Sequence, residues 1–199
     1  TRLGYLPKQL TNLFEVDISR CMYIQDHKGV SSDYDCILRS GIVINRTQSF
    51  LECIADMYGI SIDALKFRIY EYLTIDNFIK VQNGNLVNAF YDTDIDTSAF
   101  LTDYNTARET SKLYSVLILD DTYSDQVMAY NHIYFDKVFV SYINFIHNYL
   151  FKTSTYVNHT FMWDIILQLY DINLCIFEIK TVPSGQETEE IVNMLCPPN

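Results

Sequence analysis

The chain has 199 residues and a mass of 23.3 kDa, with 49% hydrophobic and 20% charged residues. That balance excludes a disordered tail or a fibrous repeat and leaves length enough for one sizeable core. Lys and Arg number 14 against 25 Asp and Glu, for a net charge of -11 and a pI near 4.6. So acidic a chain makes a poor primary clamp on nucleic-acid phosphates and argues against docking on anionic membrane; it fits a solvated scaffold or a face that meets a basic partner.

No apolar run reaches the ~18–20 residues of a membrane span; the best stretch, Val138 to Phe151, is interrupted by Asn144, His147 and Asn148. The chain opens at Thr1 without an initiator Met or a basic leader and closes on Cys196-Pro-Pro-Asn, and it reads as a fragment of a longer polypeptide. The five cysteines (Cys21, Cys36, Cys53, Cys175 and Cys196) form no Cys-x-x-Cys pair, which argues against a zinc ribbon or a redox dithiol. Cys36, Cys53 and Cys175 stand in apolar contexts and read as buried, reduced thiols. The sequons at Asn45 and Asn158 read as chance matches. The wealth of Ile, Tyr and Asn and the poverty of Ala, Gly and Pro point to an A+T-rich coding genome.

In chain order, Leu6, Leu10, Leu13 and Phe14 share a helical face, with Pro7 in the first turn. Residues 23–35 are polar and read as a loop, and Cys36-Ile-Leu-Arg-Ser-Gly is a short apolar stretch stopped by Gly41. Phe50, Leu51, Ile54, Ala55, Met57 and Tyr58 predict a helix over 48–58, capped by Thr47 or Ser49 and ended by Gly59. A second helix follows over 61–73 with Ser61 as its cap, then a short one over 74–80. A turn comes at Asn83-Gly84-Asn85, and helix resumes over 86–90. Residues 92–109 are polar and acidic and read as a loop. Tyr114 to Leu119 is a short apolar stretch, and 125–151 is the longest helical candidate, with a break expected near Asn131 or Asp136. A helix over 159–170 precedes a strand over 173–181. Pro183-Ser184-Gly185 turns the chain into a second strand over 188–196, so the two are expected to pair antiparallel.

Chemistry-bearing patterns are sparse. There is no phosphate-binding glycine loop, dinucleotide fingerprint, His-Glu-x-x-His or Gly-x-Ser-x-Gly. The spacing Asp92, Asp94, Asp96 matches the opening of a calcium loop. The central Gly and the twelfth-position Glu are missing, Asp103 standing there instead, so a solvated loop is the preferred reading. His27, His132, His147 and His159 are scattered and read as ordinary helix or surface residues. The aromatic stripe of 125–151 lacks the flanking cations of a base-stacking groove and reads as core.

Short motifs in a fixed order carry a resemblance. Arg2-Leu-Gly-Tyr-Leu-Pro, Cys36-Ile-Leu-Arg-Ser-Gly-Ile, Gln48-Ser-Phe-Leu-Glu-Cys-Ile-Ala-Asp, Gln82-Asn-Gly-Asn-Leu-Val, and Asn173-Leu-Cys-Ile-Phe-Glu through Leu195-Cys-Pro-Pro-Asn together resemble the large subunit of the viral early transcription factor, poxvirus-type, of large cytoplasmic DNA viruses. The resemblance is best at the chain ends and in residues 36–90 and weakest over 100–155. It implies a partnership with a helicase-like small subunit, early promoter recognition and recruitment of viral RNA polymerase, in the virion and in the viral factory of the host cytoplasm. Promoter DNA would be contacted by other parts of the parent chain, because this part is acidic.

A looser resemblance concerns fold. The order Cys36-Ile-Leu-Arg, Ser49-Phe-Leu-Glu-Cys-Ile-Ala-Asp, Ala64-Leu-Lys-Phe-Arg, Trp163-Asp-Ile-Ile-Leu-Gln-Leu and Leu174-Cys-Ile-Phe is similar to the ovarian-tumour (OTU) type of papain-like cysteine protease. In that family a Cys opening the first helix attacks a ubiquitin linkage and a late His is the base. Here Ser49 stands at the nucleophile's place, Cys53 lies one turn on, and no His follows the last strand. A hydroxyl needs a far stronger base than a thiol does, which implies a decayed site.

The expectation is therefore a single α+β domain over 1–199, many helices on a small, mainly antiparallel sheet formed late in the chain, with a helical insertion at 92–155 and a degenerate OTU-like fold. The expected function is non-catalytic: a structural and protein-interaction module of the early transcription initiation factor, with no catalytic, cofactor-binding or metal-binding residue assigned. The alternative is an OTU-like protease or deubiquitinase, active or decayed.

Overall fold

The computed structural model describes residues 2–19, 37–42, 45–118, 123–184 and 187–195. The polar stretch 23–35, His27, Cys21, Cys36, Cys196 and the terminal prolines lie outside the described residues. The chain is α+β: it is mostly helical, with two small antiparallel two-stranded sheets. Its contacts divide it into two compact units, residues 1–43 with 174–199, and residues 44–173.

The first unit contains both sheets. Strand β1 (Arg2–Tyr5) pairs with β2 (Leu38–Gly41), from Arg2 opposite Gly41 to Tyr5 opposite Leu38. This pair near the start was not expected; four-residue strands leave too few alternating positions for a period-two signal. Between them in sequence lies α1 (Lys8–Leu13), entered through Pro7, as the 6-10-13-14 spacing predicts. Strands β3 (Ile176–Ser184) and β4 (Glu187–Leu195) form the expected antiparallel pair, running from Ile176 opposite Leu195 to Ser184 opposite Glu187. The α1 side of this unit meets that hairpin: Phe14 sits edge-on to Phe177 at 5.3 Å, and Gln9 donates to the Glu190 carboxylate.

The second unit contains the remaining helices. Helix α2 (Ser49–Met57) buries Leu51, Ile54 and Ala55. It ends as Gly59 predicts: Gly59, at φ +62°, donates to Asp56 O and Ile60 donates to Ala55 O, the paired bonds of a glycine-terminated helix. Its start differs from expectation, because neither Thr47 nor Ser49 caps it. Asn45 organises the entry, its Oδ1 accepting from the Thr47 and Gln48 amides at 3.1 Å each. Helices α3 (Ile62–Tyr72) and α4 (Ile75–Phe78) are capped by Ser61 and Thr74, which accept from Ala64 and Asn77. The expected turn is a 3-10 segment over Val81–Gly84 with Gln82 and Asn83 left-handed, followed by α5 (Asn85–Phe90).

Residues 92–109, expected as one loop, are loop only at first. Helix α6 (Leu101–Thr110) occupies the rest, and α7 (Lys112–Ile118) the apolar stretch after it. The amphipathic signal of α6 is weak because its packing falls to a few part-buried side chains, chiefly Tyr104, edge-on against Phe135 and Phe139. Helix α8 (Asp125–Ile143), capped by Ser124, runs through Asn131 and Asp136 without a break. Those polar residues point outward to partners instead: Asn131 donates to Leu117 O at 2.7 Å, and Asp136 accepts from Tyr104 at 2.6 Å. The helix changes only at Asn144–Leu150, which is a π-helical turn, and α9 (His159–Tyr170) closes the unit under an Asn158 cap.

The core of this unit is aromatic. Phe78, Phe145 and Tyr149 join Phe90, whose ring meets Phe145 and Tyr149 at 4.9 Å and Phe161 at 5.1 Å. Edge-to-face contacts of this kind add about 0.5–1.5 kcal/mol each beyond area burial. Residues 92–155 supply Phe135, Val138, Phe139, Phe145 and Leu150 to this core.

Candidate functional site

The residues that sequence reasoning singled out come to different places. Ser49 opens α2, but its hydroxyl donates to Asn45 O and accepts from the Asn45 amide at 3.2 Å, as a brace for the helix entry. Cys53 and Cys175 are exposed, which corrects the expectation of buried thiols. The apolar neighbours of Cys53, Ile54 and Ala55, face the core while Cys53 itself faces outward. Partial burial and then the carboxylates of Asp56 and Glu52 push its thiol pKa up, away from the thiolate. His132, His147 and His159 each lie against a ring: Tyr114 at 6.3 Å, Phe100 at 4.5 Å and Trp163 at 5.3 Å. The acidic run is a set of turns, with Asp92 Oδ1 accepting from the Asp94 amide and Asp96 Oδ1 from the Ser98 amide, both at 2.9 Å. Among the described residues no group of three His, Cys, Asp or Glu could hold a metal.

The best-formed cavity lies in the helical unit and has a volume of about 340 Å³. One wall is the junction of α3 and α4, with Tyr70, Thr74, Ile75 and Asp76. The second is α6, which offers Asp103, Thr106, Ala107 and Thr110. Those four stand at i, i+3, i+4 and i+7, one face of a helix, while Tyr104 and Arg108 lie on another. The third wall is the end of α8 and the π turn, with Phe139, Tyr142, Ile143, Ile146 and His147.

The polar groups of this cleft are both acceptors, such as Asp76 and Asp103, and donors, among them the Tyr70, Thr74, Ser111 and Tyr142 hydroxyls. Asp76 holds the start of α7, its two oxygens accepting from the Lys112 and Leu113 amides at 2.9 Å. Thr106 and Thr110 donate their hydroxyl protons back to Thr102 O and Thr106 O, at 2.9 and 2.7 Å, so only lone pairs remain for a ligand. Burial, and then the nearby Tyr70 and Asp103, raise the pKa of Tyr142, which keeps its phenol protonated. Among the described residues, neither the Tyr142 hydroxyl nor the Asp103 carboxylate has a hydrogen-bond partner.

A smaller cavity of about 300 Å³ lies on the other side of α6, between Thr97, Leu101 and Tyr104 and the α8 residues Asp136, Phe139 and Val140. Burial and then the Asp136 hydrogen bond push the Tyr104 phenol up to about 12. Arg108 lies 5.8 Å from the centre of the Tyr104 ring and 5.0 Å from that of Tyr114, and donates to the Tyr114 hydroxyl at 2.7 Å.

Sequence reasoning noticed Asp103 only as a poor calcium ligand, and missed Tyr70 and Tyr142. The signal was the 103-106-107-110 spacing, which has meaning only once that stretch is a helix.

Outside the cavities, the early half of α8 presents Val127, Tyr130, Ile133 and Tyr134 to solvent, Tyr130 at 72% and Ile133 at 66% exposure. Asp125 and Asp136 stand at either end of the row that contains Ile133. Fold and site together define an α+β protein with a helical unit that offers a cleft of mixed polar and apolar lining and an exposed aromatic helix face. Comparison with models of known protein families, with curated proteins and with solved structures finds no match.

Proposed function

We propose that the chain is a non-catalytic structural and protein-interaction module of a viral early transcription initiation factor large subunit. The observation that carries the interaction role is the uncovered α8 face, apolar at Val127, Tyr130, Ile133 and Tyr134 and set in a chain of net charge -11. An aromatic patch with an acidic rim fits a protein partner that is apolar at its centre and basic at its edge. The short motifs along the chain support the transcription assignment, in which that partner is the helicase-like small subunit and viral RNA polymerase joins the assembly. Promoter DNA falls to other parts of the parent chain, since the acidity here repels phosphate. The place of action is the virion and the viral factory in the host cytoplasm.

The setting of Cys53 supports the non-catalytic part. A reactive thiol needs a nearby cation or helix N-terminus to lower its pKa, and the two carboxylates beside Cys53 act in the opposite direction. The test is recovery of the two partners with the tagged parent chain from infected cells. Wild type is expected to bring down the helicase-like subunit and polymerase. A Tyr130→Ser, Ile133→Ser double variant should recover about tenfold less, the loss typical of two interface anchors. Undiminished recovery with the double variant would remove the α8 face from the reading. A parent that purifies without either partner, or labelling of Cys53 by a ubiquitin-vinyl probe, would sink the proposal.

A further inference from the structure

We infer that the cleft between α3–α4, α6 and α8 is a binding site for a small, uncharged aromatic molecule that presents a hydrogen-bond donor beside an acceptor, as an aryl carboxamide or a heteroaromatic lactam does. The inference goes beyond the interaction reading above and does not depend on it.

The hydrogen bonds already made along the cleft leave both kinds of polar group open. Thr74 and Ser111 accept from the Asn77 and Tyr114 amides through their hydroxyl oxygens, which leaves their protons for a ligand. Tyr142 adds a phenol with no partner among the described residues. Thr106 and Thr110 donate to backbone carbonyls, which leaves their lone pairs, and Asp103 adds a carboxylate. A ligand with donors alone leaves the first set unmet, and one with acceptors alone leaves the second. No Lys or Arg lines the cleft and two aspartates do, which disfavours an anion.

The apolar lining selects a flat ring. Ile75, Phe139, Ile143 and Ile146 are each more than nine-tenths buried, so the core holds their cleft-facing surface in place. The rings of Tyr70 and Tyr142 line the same space, and an aromatic ligand packs against such rings edge-on or offset. The volume of about 340 Å³ is in the range of small-molecule sites and leaves room for a second ring or a substituent. One wall continues into the π-helical turn that contains Ile146 and His147, a departure from α-helix that recurs at binding sites.

The test is an NMR titration of the isotope-labelled 199-residue chain with benzamide, benzamidinium and benzoate, which share one shape. Benzamide donates and accepts, benzamidinium only donates, and benzoate only accepts. Benzamide is expected to shift the amides of 103–111 and 139–147, and the two ions to bind about fivefold more weakly. Tyr142→Phe keeps the ring and should weaken benzamide about fivefold, the loss of one hydrogen bond. Asp103→Ala should do the same, whereas Asp103→Asn keeps a carbonyl acceptor and should change it less than about twofold. Tyr156→Phe, outside the cleft, should have no effect. Asp103 is exposed, so its alanine variant decides if Tyr142→Phe fails to fold. Tighter binding of benzamidinium, equal affinity for all three probes, unchanged affinity in Asp103→Ala, or no shift at all would overturn the inference. The titration reads the cleft and partner recovery reads the α8 face, so either can fail without the other.

Discussion

Tyr104 concentrates several interactions in one side chain. Its ring packs against Phe135 and Phe139, and its hydroxyl donates to Asp136. The folded phenol titrates at about 12 against an ordinary value of 10, so the folded state holds the proton more tightly than the unfolded one. The stabilisation is fully present below pH 10 and is lost as pH rises from 10 to 12. Tyr104→Phe is expected to cost about 1 kcal/mol at neutral pH, the usual net worth of such a bond. Its deficit relative to wild type should shrink across that alkaline window, because only wild type loses the contribution there. Urea unfolding of both proteins at several pH values checks this, and a constant deficit would refute it. Lys66 has the opposite character: it is 1% exposed, burial lowers its ammonium pKa, and Asp63 and Glu52 pull it partly back. Position 66 continues the helical row that buries Leu65 and Ile69, so spacing places it on the buried face although a lysine by residue type reads as exposed.

At the scale of elements, local chemistry succeeds where a side chain acts on its own backbone. Ser61, Thr74, Ser124 and Asn158 each cap the helix that follows, through bonds that span two or three residues. Helix α2 is held differently, since Asn45 accepts from the Thr47 and Gln48 amides just before the helix begins. Asn45→Ala is expected to destabilise the helical unit by about 1 kcal/mol, comparable to loss of a helix cap, and Asn45→Asp to retain most of the stability. The midpoint of urea unfolding reports both, and an alanine variant as stable as wild type would exclude the role. Local signals fail for α6 and for the uninterrupted α8. The polar residues that suggest a loop or a break are satisfied there by Leu117, Tyr104 and Tyr114, partners from other turns of the chain.

For the molecule as a whole, charge is the dominant variable. Among the described residues the ion pair seen is Lys180 with Glu178, two positions apart on one strand, and such surface pairs contribute little. Twenty-five carboxylates against 14 cations leave a net charge of -11 that repels itself. Raising NaCl from about 0.02 to about 0.3 M shortens the screening length severalfold and relieves that repulsion. The melting temperature should rise by about 2–4 °C, which calorimetry measures. A fall would mean that attractive pairs outweigh the repulsion.

Much of this protein follows from its sequence by itself: the α+β class, the helices over 61–73 and 159–170, the late antiparallel pair and the acidic surface. These depend on periodicity, on caps a few residues away and on composition, all of which are local quantities. The cleft, the outward turn of Cys53 and the helical state of 101–110 were decided by tertiary structure. Each depends on which distant groups come to lie opposite, as Asp76 does to α7 and Tyr104 to Asp136, and no spacing within one segment encodes that.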